Sequence, residues 1–238
     1  MTIDTCFSLE LIRFKKWEPG GIVVVVDILR ASSTICAALA AKAERIYPVA
    51  SEEQAKQLKS EGWLVAGERE GKKLEFADYG NSPVEMLHAE LSGKSLVLTT
   101  SNGTKAIEKA GILGEVIIGG FTNLRLVSDY ILERKKPVYI ICSGWMGNFS
   151  YEDALFAGAL AESVSLSKLF STASDETLSA IELWRNAKNN LFDNVMLATH
   201  AQRLMSMGAE KDIRFALELN STPVLPGLRD KYLFNLIS

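Results

Sequence analysis

Asp27, Arg30, Ser32, Ser33 and Thr34 fall within eight residues of "VVVVDILRASST", at the end of a run of valines. A carboxylate at the margin of a core is expensive unless it meets a metal, an arginine or backbone N–H groups. Arginine and hydroxyls directly after it supply the donors that an anion requires. Two further stretches repeat the arrangement of a strand running into a polar loop that opens a helix. These are "LVLTTSNGTKA", with Ser101, Asn102, Gly103, Thr104 and Lys105, and "VYIICSGWMGNFSYEDA", with Glu152 and Asp153. In open α/β sheets such loops converge beyond the carboxyl ends of the strands, where helix N-termini favour phosphate or carboxylate. Three loops rich in Ser, Thr, Asn and Gly, two of them carrying acids, point to one pocket for an anion with a metal. Each part also has a plain structural reading. Ser32, Ser33, Thr34 and Ser150 are good helix caps, Asn102-Gly103 makes a turn, and "GEREG" read alone is a solvated charged turn.

The elements that must position these residues alternate along the chain. Apolar runs such as "GIVVVVDI", "RIYPVA", "WLVAGE", "SLVLTT", "EVIIGG" and "VYIICSG" are each followed by an amphipathic stretch of helical length. This rhythm predicts an α/β fold of three layers, α/β/α, around a mostly parallel or mixed sheet. Ser82-Pro83-Val84-Glu85 and Ser51 with Gln54 mark helix starts. From about Ser165 to Leu219 the chain reads as a helical C-terminal third. No repeat, low-complexity tract or Gly/Ser linker interrupts it, so residues 1–238 are expected to form one domain.

Composition narrows the function. With 26 basic and 29 acidic residues, a formal charge of -3 and no Lys/Arg block, no nucleic-acid partner is expected. No apolar run approaches the roughly 20 residues that span a bilayer, and no opening stretch reads as a signal peptide. Neither a membrane partner nor export is expected. Three cysteines at scattered spacings fit reduced thiols in the cytoplasm better than a disulfide framework. Phosphate-loop and dinucleotide motifs are missing, no arginine follows Cys36 or Cys142 at the spacing of a cysteine phosphatase, and His88 and His200 read as surface or core residues of helices. A metal would therefore take oxygen ligands, and hard Mg²⁺ suits them.

The stretches "VVVDILRASSTICAALA", "GEREGKKLEFADYGNSPVEM", "LTTSNGTKAI" and "SGWMGNFSYEDALFAGAL" resemble, in order and spacing, the successive motifs of the 2-phosphosulfolactate phosphatase family. "DIRFALELNSTPVLPGL" resembles its close. The resemblance implies a Mg²⁺-dependent phosphatase that converts 2-phospho-3-sulfolactate to 3-sulfolactate, on the way to coenzyme M. Asp27, Glu68, Glu152 and Asp153 are then candidates for metal binding, and Asp27, Glu152 and Asp153 for catalysis. Arg30, Arg69, Lys105, the hydroxyls of Ser32, Ser33, Thr34, Ser101 and Thr104, and Asn81, Asn102 and Gly103 are candidates for substrate binding. Where such proteins more often carry a glycine-rich stretch before S-L-E-D, this chain has Trp145, Met146 and Tyr151, which bear on pocket shape. The rival reading is a non-catalytic anion-binding or regulatory protein on the same fold. Homodimerisation is left open.

Overall fold

Runs of β-branched residues too short for stable helices become strands, and the amphipathic stretches between them become the helices that cover both faces. A computed structural model describes residues 1–237. Its strands are β1 (Thr2–Cys6), β2 (Ile22–Val26), β3 (Arg45–Pro48), β4 (Leu64–Arg69), β5 (Lys72–Lys73), β6 (Ser95–Thr99), β7 (Glu115–Gly119), β8 (Val138–Cys142), β9 (Ser171–Thr172), β10 (Pro226–Arg229) and β11 (Tyr232–Asn235). Its helices are α1 (Ala31–Ala40), α2 (Glu52–Ser60), α3 (Pro83–His88), α4 (Gly103–Ala110), α5 (Leu124–Arg134), α6 (Tyr151–Ser165), α7 (Asp175–Ala187), α8 (Leu191–Val195), α9 (Thr199–Ser206) and α10 (Glu210–Ala216).

All eleven strands join one mixed sheet in the order β5-β4-β6-β3-β11-β10-β7-β2-β8-β1-β9. The alternating residues of β2 define its two faces. Val23 and Val25 pack with Ile35 of α1, Met86 of α3 and Ile107 of α4. Ile22, Val24 and Val26 pack with α5, α6 and α7, while α2 covers the same outer face of β4 and β6 through Ala55, Val65 and Val97. The architecture is the expected three-layer α/β/α, and helices α7 to α10 fill most of the C-terminal third. Among the described residues no helix is long and apolar enough to cross a membrane.

The sequence gives no sign of what the last strands do. The hairpin β10–β11 enters the middle of the sheet, and its strands pair antiparallel with each other, with β7 and with β3. Three successive antiparallel steps make the parallel group β4-β6-β3 run opposite to the group β7-β2-β8-β1. Six steps separate β4 from β2, and twist accumulating at 20–25° per step turns the groups by roughly 120–150° relative to each other. The carboxyl ends of β2, β4 and β6 contribute Asp27, Glu68 and Ser101 to one pocket.

The cap signals act as expected. The side chains of Ser51, Ser82 and Ser150 accept hydrogen bonds from the backbone N–H groups of Gln54, Glu85 and Asp153. Helix α6 lies tight against α7 at Gly158, where an added Cβ would stand 1.9 Å from the carbonyl oxygen of Ala180. Gly158→Ala is therefore expected to force the helices apart and to destabilise the fold by about 3 kcal/mol, or about 6–12 °C in Tm. An unchanged thermal melt would show that α6 and α7 can separate freely.

Candidate active site

The site is built where β2, β4, β6 and β8 run out. Asp27 follows β2 and is almost fully buried. Its Oδ1 accepts the backbone N–H of Ala31 at 3.1 Å, while its Oδ2 lies on the side of Gly103, where a Cβ would come within 2.7 Å. Glycine at 103 is what lets the start of α4 press against the carboxylate. Burial pushes the Asp27 carboxyl up to about 6. The Ala31 N–H and His200 hold it down in part, and the charges of Glu68 and Glu152 raise it further.

Glu152, in the first turn of α6, is the most buried acid of the group. Its Oε1 meets Nδ1 of His200 at 2.7 Å, and its Oε2 is buried with no hydrogen-bond partner. His200, on α9, stacks on Trp145 with ring centroids 5.1 Å apart and planes 12° from parallel. Trp145 is held out by a tight turn in which Met146 and Gly147 both have positive φ, 52° and 76°, the conformation of a type I′ turn. The stacked pair lines both the main pocket and a neighbouring cavity reached by Glu152 and Tyr151. Met146 itself is exposed.

Asp153 and Glu68 differ from these two acids. Asp153 accepts the N–H of Ile28 at 2.9 Å on Oδ1, and the N–H of Gly144 and hydroxyl of Ser143, both at 3.3 Å, on Oδ2. It ties the β2 end to the β8 end. Burial, with Glu152 and Asp27 nearby, pushes its carboxyl well above the ordinary range. Glu68 accepts the N–H of Ser101 at 2.7 Å and of Gly71 at 2.6 Å, bracing the β4–β5 hairpin against the loop before α4. The described residues contain no ready-made group of three His, Cys, Asp or Glu side chains for a metal. Of these four acids, the carboxylate oxygens not engaged by backbone N–H groups are Oδ2 of Asp27 and the two oxygens of Glu152, of which Oε1 meets His200.

Several expected contacts are absent from the pocket. Ser32 Oγ accepts the N–H of Asp27, Ser33 Oγ donates to the carbonyl of Ile28, and Thr34 Oγ1 is buried without a partner. The Ser32 and Ser33 hydroxyls knit the strand end to α1, and none of the three lines the pocket. Thr104 bonds reciprocally with Thr100 and closes its own loop. Arg69 turns to Glu52, Thr99 and the Ala50 carbonyl, and Lys105 is exposed. Arg30 lines the pocket, but its Nη1 pairs with Asp212 at 2.5 Å. Asn81, with a buried unpartnered Oδ1, and Ser101 and Asn102 do face the pocket. All three cysteines are buried free thiols. Burial pushes Cys6 up to about 11, Cys36 to about 12 and Cys142 well above its ordinary value, which leaves no activated thiolate.

Trp145, read from the sequence as bearing on pocket shape, lines the pocket, whereas sequence reading missed His200, Arg203 and Asp212. These three come from α9 and α10, and of them only His200 carried a signal, as one of two histidines in the chain.

Strand-end carboxylates, a partnered histidine and an arginine gathered at one pocket define an α/β protein with a polar site for a small anion. The chain belongs to the 2-phosphosulpholactate phosphatase family, phosphoric monoester hydrolases, which it matches over residues 6–231. It is 37% identical to a probable 2-phosphosulfolactate phosphatase of Caldanaerobacter subterraneus subsp. tengcongensis, over 87% of this chain and 88% of that protein. Identity to the probable 2-phosphosulfolactate phosphatase of Thermotoga maritima is 38%, over 86% and 88%. For the protein of that name from Carboxydothermus hydrogenoformans it is 38%, over 95% and 92%.

Proposed function

We propose that this chain is a cytoplasmic, Mg²⁺-dependent phosphatase that hydrolyses 2-phospho-3-sulfolactate to 3-sulfolactate and phosphate. Family membership supplies the reaction class. The observation that supports a site here is the bare Oε2 of Glu152, a buried carboxylate oxygen without a partner, on a residue that lines the cavity sharing Trp145 and His200 with the main pocket. Such an atom is costly in a fold unless a ligand completes it.

Asp27 and Glu152 are the residues that would hold Mg²⁺, through carboxylate oxygens. Two carboxylates fit this ion, which commonly takes one or two and keeps its remaining positions for water and phosphate. Bound there, Mg²⁺ would neutralise charge on the phosphoryl oxygens. The chain's own part is orientation and proton handling. Because the Glu152 carboxylate accepts from Nδ1 of His200, that nitrogen carries the proton and Nε2 is left to take or give one. His200 thus replaces Asp153 as the proton carrier, since both Asp153 oxygens already serve backbone and hydroxyl donors. Attack by water breaks the P–O bond to the substrate's C2 oxygen, which leaves as the hydroxyl of 3-sulfolactate once protonated.

Purified protein is expected to release phosphate from 2-phospho-3-sulfolactate with Mg²⁺ and to fall to background after treatment with EDTA, recovering when Mg²⁺ is restored. Undiminished turnover in EDTA would exclude the metal. Binding of 3-sulfolactate with no phosphate release under any condition would support the non-catalytic anion-binding reading instead.

A further inference from the structure

We infer that Arg203 selects substrates that carry a second acidic group beside the phosphate, an inference that rests on the phosphatase reading above. The pocket is acidic, lined by Asp27, Glu68 and Glu70 as well as by Arg30 and Arg203, so a multiply charged anion needs a cation with donors to spare. Arg30 is already matched by Asp212. Among the described residues Arg203 pairs with no carboxylate. Its one hydrogen bond runs from Nη2 to the backbone carbonyl of Glu70, which fixes the guanidinium at the pocket wall and leaves its remaining N–H donors open.

Two features of the fold bring it there. On α9, His200 and Arg203 are three residues apart and share a face, so the helix that carries the proton carrier also carries the arginine. The β4–β5 hairpin turns through Glu70 and Gly71, both at positive φ. At Gly71 a Cβ would meet Met207 at 3.1 Å and Nη1 of Arg203 at 3.5 Å, so the glycine lets α9 approach. A planar guanidinium matches the oxygens of a carboxylate or sulfonate bidentately, whereas a lysine would offer only a point charge. Arg203 is therefore a residue for discrimination among phosphomonoesters by what else they carry.

The test compares kcat/KM for 2-phospho-3-sulfolactate and for 2-glycerol phosphate, a monoester with no second acid, in wild type, Arg203→Lys and Arg203→Met, with thermal melts to confirm folding. The preference for the acidic substrate should fall about ten- to a hundredfold in Arg203→Met, mainly through KM, with Arg203→Lys in between. A ratio within about threefold of wild type in both variants, whatever the common loss, would overturn the inference. Should wild type hydrolyse neither compound, the phosphatase reading fails by itself, and calorimetric binding of 3-sulfolactate decides on Arg203. At least about tenfold weaker binding in Arg203→Met, or in Arg203→Lys if the methionine variant does not fold, then supports it. Equal affinity, or no binding to wild type, overturns it.

Discussion

Asp27→Asn is expected to lower phosphatase activity by about a thousandfold or more while making the metal-free protein more stable. The loss follows from removing one of two carboxylates available to a cation and its charge at the reacting centre. The gain follows from burial. In the folded chain the Asp27 carboxyl is pushed up to about 6 from its ordinary 3.8, mainly by desolvation. Between those values the native state holds a proton that the unfolded chain has released, so native stability falls as pH rises from about 4 to about 6 and stays reduced above that. The full penalty is about 3 kcal/mol at about 1.4 kcal/mol per pH unit. Asparagine keeps an oxygen to accept the Ala31 N–H and has no charge to desolvate. In EDTA the Tm of the variant should match wild type near pH 4, exceed it increasingly up to pH 6, and hold that margin at pH 8. A variant less stable than wild type at pH 8, with unchanged dependence of activity on Mg²⁺, would remove Asp27 from the metal site.

What the sequence made legible divides along one line. Helix starts at Ser51, Ser82 and Ser150 depend on residues within three positions of each other, and their caps form as read. The six apolar runs became strands because a buried parallel strand needs only β-branched side chains on both faces. The direction in which a hydroxyl points is a different kind of fact. Ser32, Ser33 and Thr34 have the types of an anion cradle, and how the β2 end folds back on α1 decides that Ser32 and Ser33 bond the backbone of that strand end instead. Likewise "VMLATHAQRLMSMG" reads as an ordinary amphipathic helix. Nothing local reveals that the face bearing His200 and Arg203 closes the pocket. The insertion of β10–β11 rests on long-range pairings such as Gly227 with Ile117 and Leu233 with Ile46, which no local pattern encodes.

Asp212→Asn is expected to be the most destabilising polar substitution in the site. The Asp212 carboxylate, on α10, joins two helix starts. Oδ2 takes Nη1 of Arg30 at the head of α1, and Oδ1 takes the hydroxyl of Ser82 at 2.6 Å, at the head of α3. Both members of the ion pair are more than nine-tenths buried, so solvent does little to screen them. Loss of one partner leaves the other charge stranded, which costs about 3–5 kcal/mol, or about 6–20 °C in Tm. Replacing both with apolar residues, as in Arg30→Met with Asp212→Leu, should restore much of that loss, because a buried pair is stabilised little beyond the desolvation of its charges. The same double variant separates the two uses of Arg30. If Arg30 also binds the substrate anion, the refolded double variant stays weak in KM despite its recovered melting temperature. If its only partner is Asp212, activity returns with stability. Additive Tm losses in the two single and the double variants would show that Arg30 and Asp212 are not coupled at all.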